Sequence, residues 1–335
     1  MISVPVRDLS QVSEARRQAA ALAEGAGFDE VDAGRVAIVA TELASNLIKH
    51  GNGGEILAGA FDDDTGDGVE LVAIDKGPGI HDLAQSLRDG HSTAGTPGNG
   101  LGAVRRQSQG CWIYSGPGLG TAVLARFGHG RSKPKGDEAM PNWGGICIAK
   151  PGEVSGGDCW AASSRSGAGH VLMVADGLGH GPAAAEASRA AARIFLKDAA
   201  EMPGSIVRSI HEGLRSTRGA AVAVARLDLA RNMAVYAGIG NISAAIVAVS
   251  GVRRLVSHNG TAGQAAPRIR EFEYPFPSKE RPILVMHSDG IAGGWALDRY
   301  PGLAACHPSL VAAVIYRDFA RGRDDATVVV ARGDS

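Results

Sequence analysis

The chain has few cysteines, no long apolar run and almost no net charge. Its four cysteines show no CxxC spacing, which excludes a zinc site of that type and predicts free thiols in a reducing compartment. The longest apolar run, at 243–252, is about half of a membrane span, and the N-terminus shows no signal-peptide pattern. We therefore expect a cytoplasmic protein without membrane association.

The charge balance also limits the choice of partners. A formal net charge of −1 provides no overall attraction to nucleic acid. The two basic spots, at 253–254 and 316–323, are short, and the second contains an aspartate. We expect both to be solvated surface and predict no nucleic-acid partner.

The length of 335 residues predicts roughly two domains. Helical and strand patterns alternate up to residue 127, including a helix at 33–50 and a strand at 69–75. The stretch at 128–142 is rich in glycine, proline and charge and has no periodicity, which is typical of a linker. We expect a first domain at 1–127, a linker at 128–142 and a second domain at 143–335.

The second half contains many apolar strands and few helices. Two alanine-rich helices are predicted at 182–199 and 204–217. The predicted strands are separated by turns and lie at 170–176, 220–228, 233–240, 282–289 and 326–332. This pattern predicts a layered α/β sandwich.

One helix of the first half carries an acid and an amide beside its apolar stripe. In "VATELASNLIKHG", Glu42 and Asn46 lie four residues apart and so share one face of the helix. A solvated polar edge would explain such a pair if it stood alone. An amide oxygen also suits Mg²⁺, and a carboxylate one turn away can take a proton from a group that attacks a phosphate.

Two glycine-rich turns follow. In "DKGPGI", Asp75 ends a strand, where its carboxylate can accept a hydrogen bond from an exocyclic amine, and Gly77 and Gly79 let the backbone approach a flat ring. In "GNGLGAVRR" at 98–106, a glycine-rich turn opens a helix and presents N–H groups to phosphates.

In this order and spacing, these features resemble the ATP site of the GHKL superfamily, which includes gyrase-, histidine-kinase- and MutL-type proteins. The resemblance is closest to the RsbT-like serine kinases and implies a Bergerat-type two-layer ATP-binding domain that uses ATP and Mg²⁺. It implies Glu42 as the catalytic base and Asn46 as the magnesium ligand. It assigns Asp75, Gly77 and Gly79 to the adenine-binding box and Gly98, Gly100, Leu101 and Gly102 to the phosphate loop.

In the second half, aspartates recur at the ends of apolar strands. They lie in "GGD", "VLMVADGLGHG", "ILVMHSDG" and "GRDDATVVV", which contain Asp158, Asp176, Asp289 and Asp324. Carboxylates gathered at one edge of a sandwich repel one another unless cations neutralise them. Oxygen ligands favour Mn²⁺ or Mg²⁺ over zinc, and two such ions can activate water and clamp a phosphate.

The order of these motifs resembles the metal-dependent, PPM-type Ser/Thr phosphatases of the stage II sporulation protein E kind, and the compact RsbX-like members most closely. It implies an αββα sandwich and two Mn²⁺ or Mg²⁺ ions. By that resemblance Asp176 bridges the metals, Gly177 offers its carbonyl, Asp289 and Asp324 bind one ion, and Asp158 binds the other directly or through water. Asp325 supports these ligands. Two roles stay open for His180, a donor to the phosphate or a structural residue, and Asn241 is expected to cap a bend.

The two resemblances together imply a bifunctional enzyme of a partner-switching pathway. It would phosphorylate and dephosphorylate a serine or threonine of a STAS-domain antagonist or stressosome-type protein; a sigma factor or a downstream phosphatase is a further candidate partner. The alternative is a phosphatase whose first half is an ATP-dependent binding module without significant kinase activity. Glu42 together with Asn46 favours the kinase, because a pure binder needs no base. An ATPase that couples hydrolysis to a shape change ranks third.

Overall fold

A computed structural model describes residues 1–83, 100–129, 140–153, 155–165, 169–264, 268–277 and 280–333. The chain divides into two compact units. The first contains Met1–Pro141 and Ala296–Arg317, and the second contains Asn142–Trp295 and Asp318–Ser335. The expected linker lies mostly outside the described residues. No helix among those residues combines the length and the apolar composition needed to cross a membrane.

The first unit contains one antiparallel sheet, in the order β1-β2-β3-β5-β4, with helices over one face. Its elements are β1 (Ile2–Val6), α1 (Leu9–Gly25), α2 (Glu30–His50), β2 (Gly54–Asp63), β3 (Gly66–Asp75), α3 (Gly100–Gln107), β4 (Gly110–Ser115) and β5 (Thr121–Gly128). Both long helices begin at an aspartate whose side chain accepts a backbone N–H of the first turn, Asp8 for α1 and Asp29 for α2. These caps place the start of each helix against the sheet.

The core of this unit combines apolar residues at helical spacing on α2 with alternate residues of β3. On α2 the buried residues Val36, Val39, Leu43 and Leu47 recur at helical spacing and pack with alternate residues of β3, such as Leu71. The intervening residues of β3 face the other side of the sheet and are buried as well. The central strand β3 is therefore buried on both faces up to Asp75.

The second unit contains two antiparallel sheets, in the orders β13-β10-β9-β8-β7 and β12-β11-β14-β15-β6. Its elements are β6 (Trp143–Ile148), β7 (Asp158–Arg165), β8 (Gly169–Gly177), α4 (Pro182–Asp198), α5 (Pro203–Gly213), β9 (Ala220–Asp228), β10 (Met233–Ile239), β11 (Ser243–Ala248), β12 (Gly251–Leu255), β13 (Glu271–Pro275), β14 (Ile283–His287) and β15 (Ala326–Arg332).

The two sheets share one core, and the helices cover an outer face. Leu172 and Val174 of β8 point to the core between the sheets, which also contains Met286 of β14. Val171 and Met173, the alternate residues of β8, pack against α4 and α5. The expected class, a mixed α/β protein with a two-layer first domain followed by a layered sandwich, is confirmed.

One helix differs from what the sequence indicated. α6 (Pro308–Phe319) follows β14 in the chain, yet it belongs as far as Arg317 to the first unit. Its residues 310–315 are all buried. The expectation of solvated surface at 316–323 is wrong for Tyr316 and Arg317, which are half-buried and hydrogen-bonded to the first sheet.

Candidate functional site

Glu42 and Asn46 lie on the flank of α2, one turn apart, next to the buried Leu43 and Leu47. Both side chains are half-buried, and neither is hydrogen-bonded to any of the residues that the structure describes. The amphipathic period of α2 fixes this orientation, because the apolar stripe must face the sheet. The carboxylate and the amide thus stay available to a ligand.

The first turn of α3 lies against Asn46. A Cβ on Gly100 would be 3.1 Å from Asn46 Oδ1 and 3.3 Å from its Nδ2, so the backbone approaches the amide as closely as a glycine allows. Leu101 is half-buried against the core, and Gly102 is fully buried. The helix N-terminus and the amide therefore face the same space. Gly98 lies outside the described residues.

Asp75 ends β3 and is buried except for 8% of its surface. Its Oδ1 accepts the backbone N–H groups of Gly77 (2.8 Å) and Thr121 (3.1 Å). No described residue donates to Oδ2. Burial raises the pKa of this carboxyl, and the two backbone donors oppose the shift. The second oxygen is thus placed to accept a hydrogen bond from an exocyclic amine.

The glycines of the "DKGPG" turn are required by packing. A Cβ on Gly77 would lie 2.8 Å from the Cα of Gly51, at the end of α2. Gly79 has φ of +75° and would place a Cβ 1.9 Å from the Gly116 carbonyl oxygen. Any larger residue would move the turn away from Asp75. The two glycines therefore place no side chain of the turn in the path to the Asp75 carboxylate.

In the second unit, carboxylates from separate strands meet at one edge. Asp158 and Asp176 are direct partners in the register of β7 and β8. Asp289 follows β14, and Asp324 precedes its sheet neighbour β15. Burial, and next the charge of Asp158, raises the pKa of Asp176. Burial likewise raises the pKa of Asp158; side-chain hydrogen bonds oppose the shift, and the charges of neighbouring carboxylates add to it.

The chemistry of these residues suits the binding of divalent cations. Asp158 Oδ2 is buried and has no hydrogen-bond partner among the described residues. A buried, unpartnered carboxylate oxygen beside other carboxylates is costly unless positive charge is supplied. The donors are all oxygens, which Mg²⁺ and Mn²⁺ prefer. Within the described part of the chain, no group of three or more His, Cys, Asp or Glu side chains is arranged to hold a metal ion. Water and phosphate would have to complete the coordination.

Two neighbours hold the carboxylates in place. Asp325 accepts the backbone N–H of Lys150 on Oδ1 and that of Gly157 on Oδ2, both at 2.7 Å. It thereby anchors the loop that leads into Asp158. Asn241 donates from Nδ2 to Asp289 Oδ2 at 2.8 Å, so its side chain orients that carboxylate, a contact that the expected cap did not include.

His180 lies on the exposed turn after Asp176 and pairs with a residue that the sequence did not indicate. Its Nδ1 is 2.9 Å from Glu153 Oε1. A carboxylate on Nδ1 fixes the tautomer of an imidazole and leaves Nε2 for another group. The two residues are separated by 26 others in the chain, and no short motif links them.

Comparisons with known proteins match the two halves of the chain separately. Residues 6–127 match the histidine kinase-like ATPase domain. Serine/threonine-protein kinase RsbT of Bacillus subtilis (strain 168) is 34% identical over 111 residues, which are 33% of this chain and 84% of that protein. Residues 166–334 match stage II sporulation protein E.

Solved structures resemble the second half. One, described as "The bacterial stressosome: a modular system that has been adapted to control secondary messenger signaling", is 28% identical and covers 57% of this chain and 98% of its own, with a TM-score of 0.52. RsbX in complex with magnesium is 18% identical over 59% of this chain and 97% of its own, with a TM-score of 0.48. The chain therefore belongs to the stage II sporulation protein E family over its C-terminal half and to the RsbT-like, histidine kinase-like ATPases over its N-terminal third.

Proposed function

We propose that this protein is a bifunctional enzyme that phosphorylates and dephosphorylates a serine or threonine of a STAS-domain partner in a partner-switching pathway. One observation carries the proposal: a single chain holds both a half-buried glutamate–asparagine pair beside a glycine turn and a cluster of mutually repelling carboxylates. The likeness to RsbT and to a stressosome protein supports the pathway. A cytoplasmic location belongs to the same proposal, because ATP is the phosphate donor.

In the kinase half, Glu42 takes the proton from the attacking hydroxyl of the partner. The amide oxygen of Asn46 would hold Mg²⁺, and the N–H groups at the start of α3 would bind phosphate oxygens. Asp75 accepts the exocyclic amine of adenine on Oδ2, the oxygen to which no described residue donates. Phosphoryl transfer needs mainly positioning and charge neutralisation, and these residues supply both.

In the phosphatase half, Asp158, Asp176, Asp289 and Asp324 would hold the divalent cations, with the Gly177 carbonyl as a further ligand. Bound Mn²⁺ or Mg²⁺ supplies positive charge to the phosphate and activates water. His180 donates a proton from Nε2 to the leaving oxygen, while Glu153 holds Nδ1.

The experiment uses the full chain, radiolabelled ATP and a purified STAS-domain protein as the partner. Asp176→Asn silences the phosphatase, so labelled phosphate should accumulate on the partner. Adding Glu42→Gln should reduce transfer by ~10²–10⁴-fold, the usual contribution of a positioned base, and leave ATP binding nearly unchanged. Glu24→Gln, an exposed glutamate on α1, is the matched control and should leave transfer unchanged.

Two results would decide against parts of the proposal. Full labelling in the Asp176→Asn, Glu42→Gln variant would show that Glu42 is not the base. A phosphatase-silent protein that binds ATP and never labels the partner would exclude the kinase and leave the first half as an ATP-dependent binding module.

A further inference from the structure

A segment from the C-terminal half of the sequence forms part of the nucleotide-binding unit. Ala296–Arg317 groups with the first unit, and its side chains bind the sheet face opposite α1 and α2. Ser309 Oγ is 3.4 Å from Glu70 Oε2 on β3, and Tyr316 donates to Glu55 Oε1 on β2 at 3.1 Å. The segment therefore lies along the strands that lead to the adenine-binding aspartate.

The last residue of this segment reaches the aspartate itself. Arg317 donates from Nη1 to the backbone carbonyl oxygen of Asp75 at 2.9 Å. Room for the guanidinium depends on Gly120, which has φ of +69°. A Cβ there would lie 2.8 Å from Arg317 Nη1 and 2.2 Å from the Asp75 carbonyl oxygen. The contact is thus enclosed by the backbone on the neighbouring strand.

Asp75 is consequently held from three directions. Gly77 and Thr121 donate to Oδ1, and Arg317 donates to the main-chain oxygen. The peptide and one carboxylate oxygen are thus restrained, while no described residue donates to Oδ2. Restraining an acceptor before the ligand arrives removes an ordering cost from binding.

We propose that Arg317 is a positioning residue of the nucleotide site, which fixes the end of β3 so that Asp75 Oδ2 meets the exocyclic amine of an adenine nucleotide. The inference rests on the proposed ATP site. It adds that the site is incomplete without the segment from the C-terminal half. Because Arg317 positions the oxygen that accepts the amine, its loss should weaken the binding of adenine nucleotides more than that of purine nucleotides with an oxygen at that position.

The test measures binding of ATP and of inosine triphosphate to the full chain by calorimetry. Inosine has a carbonyl in place of the amine and so lacks the exocyclic N–H donor for Oδ2. Arg317→Ala should weaken ATP binding roughly 5- to 10-fold, the order expected when a hydrogen bond to a charged group is misaligned. Inosine triphosphate affinity should change less than about twofold, because its binding uses the phosphates. Arg317→Lys should recover part of the ATP affinity. Arg299→Ala, an exposed arginine in the same segment, should change neither.

The outcomes separate this inference from the proposed function. Equal losses for both nucleotides would show that Arg317 only supports the fold, and unchanged ATP binding would show that it positions nothing. If the wild-type chain binds neither nucleotide, the ATP site itself is refuted. Should the alanine variant fail to fold by circular dichroism, the ratio of ATP to inosine triphosphate affinity in Arg317→Lys decides. A ratio below that of the wild type supports the inference, and a ratio equal to that of the wild type overturns it.

Discussion

Replacing Asp176 by asparagine should stabilise the metal-free protein and at the same time abolish its phosphatase activity. Asp176 faces Asp158 across two paired strands, and burial together with neighbouring carboxylates raises its pKa. Without cations this arrangement costs stability, because charges of one sign are held together in a partly buried place. The amide keeps the shape of the side chain and removes one of those charges.

The size of the gain follows from the strand register. Directly opposed residues of an antiparallel pair have Cα atoms about 5 Å apart, and two charges at about 5 Å repel by about 3 kcal/mol at an effective dielectric constant of about 20. Partial protonation reduces this, which leaves about 1–3 kcal/mol. For a unit of this size, this gain in the free energy of unfolding corresponds to a rise in melting temperature of roughly 2–10 °C.

The gain should depend on pH in one direction. A carboxyl whose pKa is raised by folding destabilises the folded state more as pH rises from its unfolded pKa, about 3.9, towards the folded value. The metal-free wild type should therefore lose stability across that window, and the Asp176→Asn variant should lose less. The difference between them should disappear below about pH 4, where the carboxyl is protonated in both states.

The assay is thermal unfolding of the full chain in EDTA, following the transition that shifts when Mn²⁺ is added to the wild type, together with hydrolysis of p-nitrophenyl phosphate. Glu186→Gln, at an exposed position of α4, removes one charge from the same unit and should change stability by less than about 0.5 kcal/mol. A metal-free Asp176→Asn protein that melts below the wild type, or one that keeps near wild-type turnover with Mn²⁺, would refute the carboxylate assignment.

Three further substitutions test the remaining contacts. Asp75→Asn should weaken ATP binding by about tenfold, since the amide loses the charge and presents an N–H₂ group to donors; calorimetry with unchanged affinity would argue against the adenine pocket. Gly100→Ala should lower affinity for MgATP several-fold more than for ATP in EDTA, because the new methyl group presses on Asn46; equal losses would contradict the magnesium role. Asp325→Asn should destabilise the second unit by about 2–4 kcal/mol in urea unfolding, because one of two backbone N–H groups at 2.7 Å then meets a donor; an unchanged midpoint would exclude the anchoring role.

Local pattern was sufficient for much of the architecture and for placing the candidate site residues on their helices, strands and turns. The apolar stripe of α2 has a single period of 3.6, so the side on which Glu42 and Asn46 lie follows from the sequence alone. Several strands of the second unit begin or end at aspartates, which the sequence alone indicates. That these strand ends meet at one edge follows from the order of neighbouring strands in the sheets. The glycines of "DKGPG" mark a turn because their backbone conformation and close contacts exclude a side chain.

Contacts between distant parts of the chain were decided only by the tertiary structure. Glu153 meets His180, and Asp325 holds Lys150, through hydrogen bonds that no local period encodes. The clearest case is α6, whose residues 310–315 are all buried. A helix that is apolar on every side has no amphipathic direction, so its sequence indicates burial without indicating the neighbour. Only folding places Arg317 at the carbonyl of Asp75, 242 positions earlier in the chain.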